Sequence, residues 1–235
     1  MKWCSSEAST LEHNLCNVIL ESKAVSLFGE DFIQRAIIAA PAILFALTVH
    51  EFFHAWTALK FGDTTARDAG RLTLNPLAHL DFLGTIMMFV SDFRFGWAKP
   101  VPVNPFNLRN PRVADFWISA AGPLSNFGLA FIFGMLFRIV TNMSINLPEA
   151  VYLLLFFSVM INVSLAFFNL IPLFPLDGSH ILRSLLPPEM ESTLRQLDRI
   201  APIILMILIV IGGFWVILGP FITFFVRLFS GVPIG

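Results

Sequence analysis

The sequence predicts an all-α polytopic membrane protein with about four to six membrane helices and a short strand or re-entrant element between the first and second full spans. Of its 235 residues, 56% are hydrophobic and 13% are charged, which is about half the charged fraction of a soluble domain. The 26 phenylalanines and the uncharged run over residues 36–49 support the same class. The net charge of −1 gives no basic surface for nucleic acid, so we expect no nucleic-acid partner.

Residues 1–31 are expected to form a short N-terminal extramembrane segment, and residues 32–235 a single domain. The first segment mixes polar and apolar residues. It lacks the basic start and the short apolar core of a signal peptide. Cys4 and Cys16 lie in it without Cys-x-x-Cys spacing, which favours free thiols over a zinc ribbon or a disulfide framework.

Residues 32–59 read as one long helix that carries a histidine pair, His50 and His54, with Glu51 between them. Histidines four residues apart lie on one face of a helix and can bind one metal, and the intervening glutamate can reach a water on that metal. Such a pattern also occurs by chance on surface helices. Here the neighbouring residues are apolar, and burying two imidazoles and a carboxylate without partners costs on the order of several kcal/mol. The segment therefore predicts a metal site.

Between the first and second full spans, the sequence predicts a strand followed by a short apolar element. Polar and apolar residues alternate over residues 71–75 and stop at Pro76, a pattern typical of a strand. Residues 82–95 are too short for a full span, which needs about 20 apolar residues. Residues 96–111 contain four prolines, which favour an extended, ordered loop.

Three further apolar segments follow. The second span is expected over residues 113–140, kinked at Pro123, where small neighbours permit close contact between helices. The third span is expected over residues 150–173. The last apolar region, residues 200–229, is interrupted by two glycines and Pro220. It is either one span with an interfacial tail or a span with a short return.

A catalytic zinc ion takes three protein ligands and keeps one position open, so the histidine pair needs one more ligand. The residues that could supply it are His79, Asp81, Asp92, Asp177 and His180. Asp177 is favoured because two prolines break the helix just before it, while Gly178 permits a tight turn just after it. His79 and His180 are expected at the polar edge of the protein.

For Asp177 to reach the histidines, the first and third spans must cross the membrane in the same direction. A single full span between them, over residues 113–140, gives the first and third spans the same direction. A further crossing at residues 82–95 would put Asp177 on the opposite side of the membrane, about 30 Å from the histidines. We therefore expect residues 82–95 to dip in and return, or to lie beside the site. Lys and Arg concentrate in residues 60–112 and after Asp177, with none in residues 141–149. By the positive-inside tendency, we expect a protein of the cell membrane whose predicted metal site faces the cytoplasm.

Two motifs that lie far apart occur together in this chain: His50-Glu51-x-x-His54 and Asn169-x-x-Pro172-x-x-Pro175-Leu176-Asp177-Gly178. With residues 70–76, 96–105 and 122–126, they resemble the site-2 protease family of intramembrane zinc metalloproteases, in its compact bacterial branch. The resemblance covers about residues 32–183. Some relatives carry PDZ or CBS domains, and we expect neither here.

The resemblance implies one zinc ion per chain bound by His50, His54 and Asp177, with Glu51 as the catalytic acid/base and Asn169 near the substrate backbone. The implied activity is the cleavage of peptide bonds within or near the transmembrane segments of membrane proteins. The expected partners are therefore a transmembrane protein substrate and the lipid bilayer. Zinc would activate a water molecule, and Glu51 would take its proton.

Two further roles are expected around this chemistry. An amide side chain is expected to stabilise the oxyanion, with Asn169 favoured and Asn126 and Asn162 as alternatives; each could instead form a hydrogen bond between helices. Three residues of the predicted strand are expected to pair with the unwound substrate by β-augmentation: Leu72, Thr73 and Leu74.

Two other functions use the same metal site. One is a membrane-embedded zinc hydrolase acting on a lipid or a small amide. The other is a metal-binding transporter, in which the histidines and Asp177 form a transport site. Replacing Glu51 separates these functions, because a protease needs that carboxylate for each turnover while a transporter need not. The sequence makes no prediction of the oligomeric state.

Overall fold

The computed structural model describes residues 30–91, 96–143, 145 and 147–232. The described α-helices are α1 (Glu30–Lys60), α2 (Thr65–Asp68), α3 (Phe82–Val90), α4 (Pro111–Asn142), α5 (Glu149–Asn169), α6 (Asp177–Leu185), α7 (Glu191–Val210) and α8 (Gly213–Ser230). Short 3-10 helices lie at Pro76–Ala78, Pro105–Asn107 and Pro188–Met190. The N-terminal segment over residues 1–29, including Cys4 and Cys16, lies outside the described residues.

The prediction of an all-α polytopic membrane protein is confirmed. Helices α1 (over Ala39–Lys60), α4 and α5 are long and apolar enough to cross a membrane. Helices α7 and α8 pass the same test together but are bent by 72° between them. Gly212 lies at this bend with a φ of 70°, a left-handed conformation that costs glycine little. The predicted minimum of four spans is reached when this bent pair is taken as one span.

Helix α4 is the centre of the bundle and packs against α1, α5 and α8. Its contact with α5 is filled by Phe137 and Phe156, both almost fully buried. Its contact with α8 is closest at Gly134, where an added Cβ would lie 2.7 Å from the Phe229 carbonyl oxygen. Helices in a bilayer associate through such close packing, because lipid tails are as apolar as the side chains. Glycine at residue 134 therefore sets the distance between these two helices.

The two ends of the segment between residues 80 and 98 lie beside each other. Leu80 forms an antiparallel bridge with Ala98, and the Lys99 amide donates to the His79 carbonyl at 2.8 Å. Helix α3 lies between these two points and has nine residues, so it is about 14 Å long, less than half the thickness of the hydrocarbon core. Helix α3 is therefore too short to span the hydrocarbon core, which supports the expectation that residues 82–95 do not cross it.

The predicted strand at residues 71–75 is wrong. Residues 72–74 form bends, and no strand is present in the described part of the chain. Side chains take the backbone groups that a neighbouring strand would pair: His79 Nε2 donates to the Thr73 carbonyl at 2.9 Å, and Thr73 Oγ1 accepts from the Asn75 amide at 3.1 Å. Alternation alone could not reveal that no partner strand lies beside this segment.

Helix α5 ends at Asn169, four residues before the predicted end. Pro172 explains this difference, because proline disfavours helical conformation in the preceding residue and cannot donate to the helix. Residues 170–176 turn, and Asp177 then begins α6. Gly178 packs directly against the carbonyls of Leu170 and Ile171, where a Cβ would not fit. The break expected before Asp177 is thus present, whereas the tight turn expected after it is not, because Gly178 lies within α6.

Candidate metal centre

Three side chains from two helices meet inside the bundle. His50 and His54 project from the same face of α1, and their Nε2 atoms lie 2.9 Å apart. Asp177 comes from the start of α6, and its Oδ2 lies 3.1 Å from His50 Nε2 and 3.3 Å from His54 Nε2. Both histidines are buried, with exposed fractions of 4% and 8%. The structure therefore brings together the three residues that the sequence proposed as ligands.

Both imidazoles are held from behind by hydrogen-bond acceptors on α4. His50 Nδ1 donates to Asn126 Oδ1 at 2.6 Å, and His54 Nδ1 donates to the Ile118 carbonyl at 2.7 Å. Because these partners accept hydrogen bonds, each ring carries its proton on Nδ1. The lone pairs of both Nε2 atoms then point toward Asp177. In metal-binding histidines, the hydrogen bond of the other ring nitrogen fixes the tautomer and the orientation of the ring in this way.

The donor set fits a zinc ion. Asp177 Oδ2 is buried and has no hydrogen-bond partner among the described residues. Two imidazole nitrogens and one carboxylate oxygen thus converge, which is a set of donors that a cation would satisfy. Tetrahedral zinc ligands at 2.0–2.1 Å are about 3.3 Å from one another, close to the 2.9–3.3 Å measured between these three atoms.

Gly122 of α4 forms the wall behind the histidines. A Cβ at this residue would lie 2.6 Å from His50 Cε1 and closer still to His54 Nε2. Only a residue without a side chain lets the α4 backbone approach the two rings this closely. The close helix contact predicted near Pro123 is therefore confirmed, and it occurs at the metal centre.

A buried chain of amides connects the metal centre to α5. Asn126 Nδ2 donates to Asn162 Oδ1 at 2.9 Å and to the Ala46 carbonyl at 3.2 Å, and Asn162 Nδ2 donates to the Ser158 carbonyl at 2.8 Å. Both asparagines are fully buried. Both amide hydrogens of Asn126 are thus engaged in hydrogen bonds to other helices, the second of the two roles that the sequence left open for this residue. Its position behind His50 was not anticipated.

Glu51 lies beside the histidines in the sequence and contacts the proline-containing loop. Its Oε2 accepts a hydrogen bond from the Val101 amide at 3.0 Å. The loop is anchored on either side of this contact: the Arg71 guanidinium donates to the Lys99 carbonyl, and the Asn104 amide donates to the buried carboxylate of Asp63 at 2.7 Å. The loop thus orients the Glu51 carboxylate.

Helix α6, which carries Asp177, is fastened to the start of α4. His180 Nδ1 lies 3.4 Å from Asp115 Oδ1, and Arg112 Nε donates to the Ser184 carbonyl at 2.7 Å. The hydrogen bond to Asp115 raises the pKa of His180 above its ordinary value, and burial opposes the increase. These contacts hold the ligand helix in place.

The other candidate residues have different positions. His79 is buried under the 73–80 loop rather than at a polar edge. Asp81 accepts from the Gly84 amide at 2.8 Å and caps α3. Asn169 donates to the Leu165 carbonyl of its own helix at 3.0 Å. Asp92 lies outside the described residues. The other candidates for the third ligand, His79, Asp81 and His180, each have a partner within the protein.

Comparisons with known proteins find relatives that are named as zinc metalloproteases. A family model described as "Peptidase family M50" matches residues 137–212. The chain is 40% identical over 198 residues to "Putative zinc metalloprotease YwhC" of Bacillus subtilis (strain 168), which covers 81% of this chain and 90% of that protein. It is 31% identical over 170 residues to "Putative zinc metalloprotease Rip2" of Mycobacterium tuberculosis (strain ATCC 25618 / H37Rv), which covers 70% of this chain and 63% of that protein.

No solved structure matches the chain at a significant level. The family model spans the segment that carries Asp177, and the longer alignment with the Bacillus subtilis protein covers most of the chain. Together with the three long apolar helices, these matches identify the chain as a membrane-spanning member of peptidase family M50, the site-2 protease family.

Proposed function

We propose that the protein is an intramembrane zinc endopeptidase that cleaves peptide bonds within or near the transmembrane segments of other membrane proteins. One zinc ion is bound by His50, His54 and Asp177. The observation that carries this proposal is the convergence of three buried ligand atoms, each within 3.3 Å of the others, inside helices long enough to cross a membrane. The zinc metalloprotease names of the relatives support the same class.

The residues around the site have distinct roles in this proposal. A bound zinc ion supplies Lewis acidity for peptide hydrolysis. Glu51 acts as the general base, taking a proton from the attacking water and delivering it to the leaving amine. The hydrogen bond from Val101 orients the carboxylate for this transfer. Asn169, at the end of α5, is the favoured side-chain donor to the substrate backbone.

The distribution of charge supports an orientation for the proposal. Lys and Arg concentrate in residues 60–112 and after Asp177 and are absent from residues 141–149. The Lys/Arg-rich side of a membrane protein usually faces the cytoplasm. The site therefore lies toward the cytoplasmic side of the cell membrane.

The test compares the wild type with Glu51→Gln in detergent. Zinc content and the cleavage of a single-span model substrate are measured for both proteins. We expect one zinc ion per chain in each and cleavage by the wild type alone, because glutamine preserves the shape of residue 51 but cannot take the proton. Glu189→Gln, an exposed residue before α7, is the matched control and should cleave as the wild type does.

Two outcomes would favour the other functions. Zinc binding without cleavage of any peptide, together with hydrolysis of a lipid or a small amide that needs Glu51, would indicate a hydrolase of non-peptide substrates. Metal flux into proteoliposomes that survives Glu51→Gln would indicate a transporter.

A further inference from the structure

An apolar groove follows the contact between α1 and α4. On α1 it is lined by residues that include Phe53 and Trp56, and on α4 by Leu124, Gly128 and Leu129. Its volume is about 710 Å³. The lining on α1 extends from residue 49 to residue 61, which is about 18 Å along a helix. Because both helices cross the membrane, this groove opens where lipid chains surround the protein.

The groove is separate from the metal centre. Its lining residues include none of the three proposed zinc ligands. Gly122 faces the histidines, whereas Ala121, the residue before it, and Ser125, three residues after it, line the groove. A molecule in the groove would therefore lie behind the wall of the site and not in it.

Cations lie at one end of the groove. Lys60, the last residue of α1, lines this end, and its Nζ is 5.1 Å from the centroid of the Trp56 ring. Arg109 lies next to it: its amide donates to the Phe61 carbonyl at 2.9 Å, and its side chain covers Gly62. Trp56 and Trp117 belong to the same end of the groove. Tryptophan and a terminal lysine are typical of the level of lipid headgroups.

The positive charge at this end is not neutralised by the nearby carboxylate. Asp63 follows Lys60 closely but is fully buried and accepts four hydrogen bonds, from Thr65, Asn104 and Asn107. Within the described part of the chain, neither Lys60 nor Arg109 forms an ion pair. Two exposed cations thus lie above an apolar groove, which is complementary to a molecule with an anionic head and an aliphatic tail.

We propose that this groove binds one anionic phospholipid, with an acyl chain between α1 and α4 and its phosphate at Lys60 and Arg109. The charge favours a lipid over a transmembrane helix, because a phosphate offers the two cations an anionic partner at the level of the headgroups and an apolar helix offers none. This inference does not depend on the proposed protease activity.

The first test uses the cations. The purified protein is mixed in detergent with equal amounts of phosphatidylglycerol and phosphatidylcholine, and retained lipid is counted by native mass spectrometry. Each cation near a membrane surface contributes about 1 kcal/mol to the binding of anionic lipid, so we expect about thirtyfold preference for phosphatidylglycerol. Lys60→Gln/Arg109→Gln should retain both lipids equally. Lys99→Gln/Arg195→Gln removes the same charge elsewhere and should behave as the wild type.

The second test fills the groove. A Cβ on Gly128 meets nothing within 4 Å, so Gly128→Phe places a ring in the groove without a backbone clash. We expect this variant to retain neither lipid. Gly219 of α8 also has open space at its Cβ and does not line the groove. Gly219→Phe is therefore the matched control and should retain lipid as the wild type does.

Some results would overturn the proposal. Equal retention of the two lipids by the wild type would show that the protein does not prefer an anionic headgroup. Retention of phosphatidylglycerol by Gly128→Phe at the level of Gly219→Phe would show that the lipid does not bind in the groove. If no lipid is retained, but a single-span peptide is bound by the wild type and lost in Gly128→Phe, the groove takes a helix instead. The charge variants leave the groove unfilled, so they decide the question even if Gly128→Phe fails to fold.

Discussion

His50 Nδ1 lies 2.6 Å from Asn126 Oδ1, which makes an asparagine of α4 the residue that fixes the orientation of a proposed zinc ligand on α1. Asn126 is held in turn by Asn162 of α5. A ligand ring with such a fixed partner presents one nitrogen to the metal without a further loss of rotational freedom. The metal centre is therefore supported by three membrane helices and not by α1 alone.

Replacing Asn126 should weaken zinc binding without removing any ligand. Asn126→Ala leaves His50 Nδ1 without its acceptor, and the loss of such a partner typically reduces metal affinity about 10- to 100-fold. The measurement is a competition titration with a zinc chelator in detergent. Asn142→Ala, at the exposed end of the same helix, is the control. Equal affinity in both variants would contradict the positioning role.

A methyl group at residue 122 should disrupt the metal centre. The Cβ of Gly122→Ala would lie 2.6 Å from His50 Cε1, so the rings or the helix must move. Overpacking of this kind costs about 1–3 kcal/mol. We expect loss of bound zinc, measured by metal analysis, and a lower midpoint of thermal unfolding.

Gly128→Ala is the matched control for that variant, because it makes the same change on the same helix in open space. It should keep its zinc and its unfolding midpoint. Zinc retention by Gly122→Ala at the level of Gly128→Ala would show that the α4 backbone is not in contact with the histidines.

Asp63 should make the stability of the loop region dependent on acid pH. Burial alone would raise the pKa of this carboxyl group, but the hydrogen bonds from Thr65, Asn107 and Asn104 outweigh it and hold the pKa below its ordinary value. The carboxylate therefore stabilises the folded state above the unfolded pKa of about 3.9, and this stability is lost as the pH falls through the lower folded pKa.

Asp63→Asn should lower the free energy of unfolding at neutral pH by about 1–3 kcal/mol, because asparagine cannot accept all of these hydrogen bonds. The difference from the wild type should shrink as the pH falls below 4, as measured by thermal unfolding across that range. Asp68→Asn changes an exposed carboxylate nearby and should have little effect. A difference that does not depend on pH would contradict this explanation.

The contact between His180 and Asp115 should stabilise α6 at low pH and not at high pH. Hydrogen bonding to Asp115 raises the pKa of His180. Its contribution is therefore fully present below the unfolded histidine pKa of about 6.5 and is lost as the pH rises through the folded pKa. Asp115→Asn should lower the unfolding midpoint at pH 6 more than at pH 9. Equal decreases at the two pH values would show that the charge on His180 is not involved.

Proline at residue 73 should slow cleavage while the metal stays bound. Residues 72–74 form bends, so the pairing of Leu72, Thr73 and Leu74 with substrate that the sequence suggests requires this segment to become extended when substrate binds. Thr73→Pro removes one backbone amide from that pairing. The turnover of a single-span substrate and the zinc content are measured together. Unchanged turnover would contradict the pairing, while loss of zinc would show that the variant disturbs the metal centre instead.

Much of the fold could be predicted because hydrophobic runs and prolines act locally. The helix over residues 32–59, the short element at 82–95 and the break before Asp177 all follow from such local rules. The strand at residues 71–75 was wrong because a strand needs a neighbour, and a neighbour distant in the chain leaves no trace in local alternation. The end of α5 was placed too late because the effect of Pro172 extends into the residues before it.

The cluster of His50, His54 and Asp177 was also accessible to prediction, since the spacing of the histidines and the apolar surroundings are visible in the sequence. Their roles in catalysis stay predictions. The supporting contacts were not accessible. The Ile118 carbonyl and the Val101 amide are backbone groups with no sequence pattern. Asn126 was noticed as a polar residue in an apolar helix, but only the packing of α4 on α1 shows that it faces His50.

The order of the ligands along the chain has a consequence for biosynthesis. Asp177 begins α6 and follows three membrane helices, whereas the two histidines belong to the first of them. A nascent chain that has inserted only α1 holds the two imidazoles but not Asp177, the proposed third ligand. The proposed zinc site can therefore be completed only after α1, α4 and α5 have been made and inserted into the bilayer.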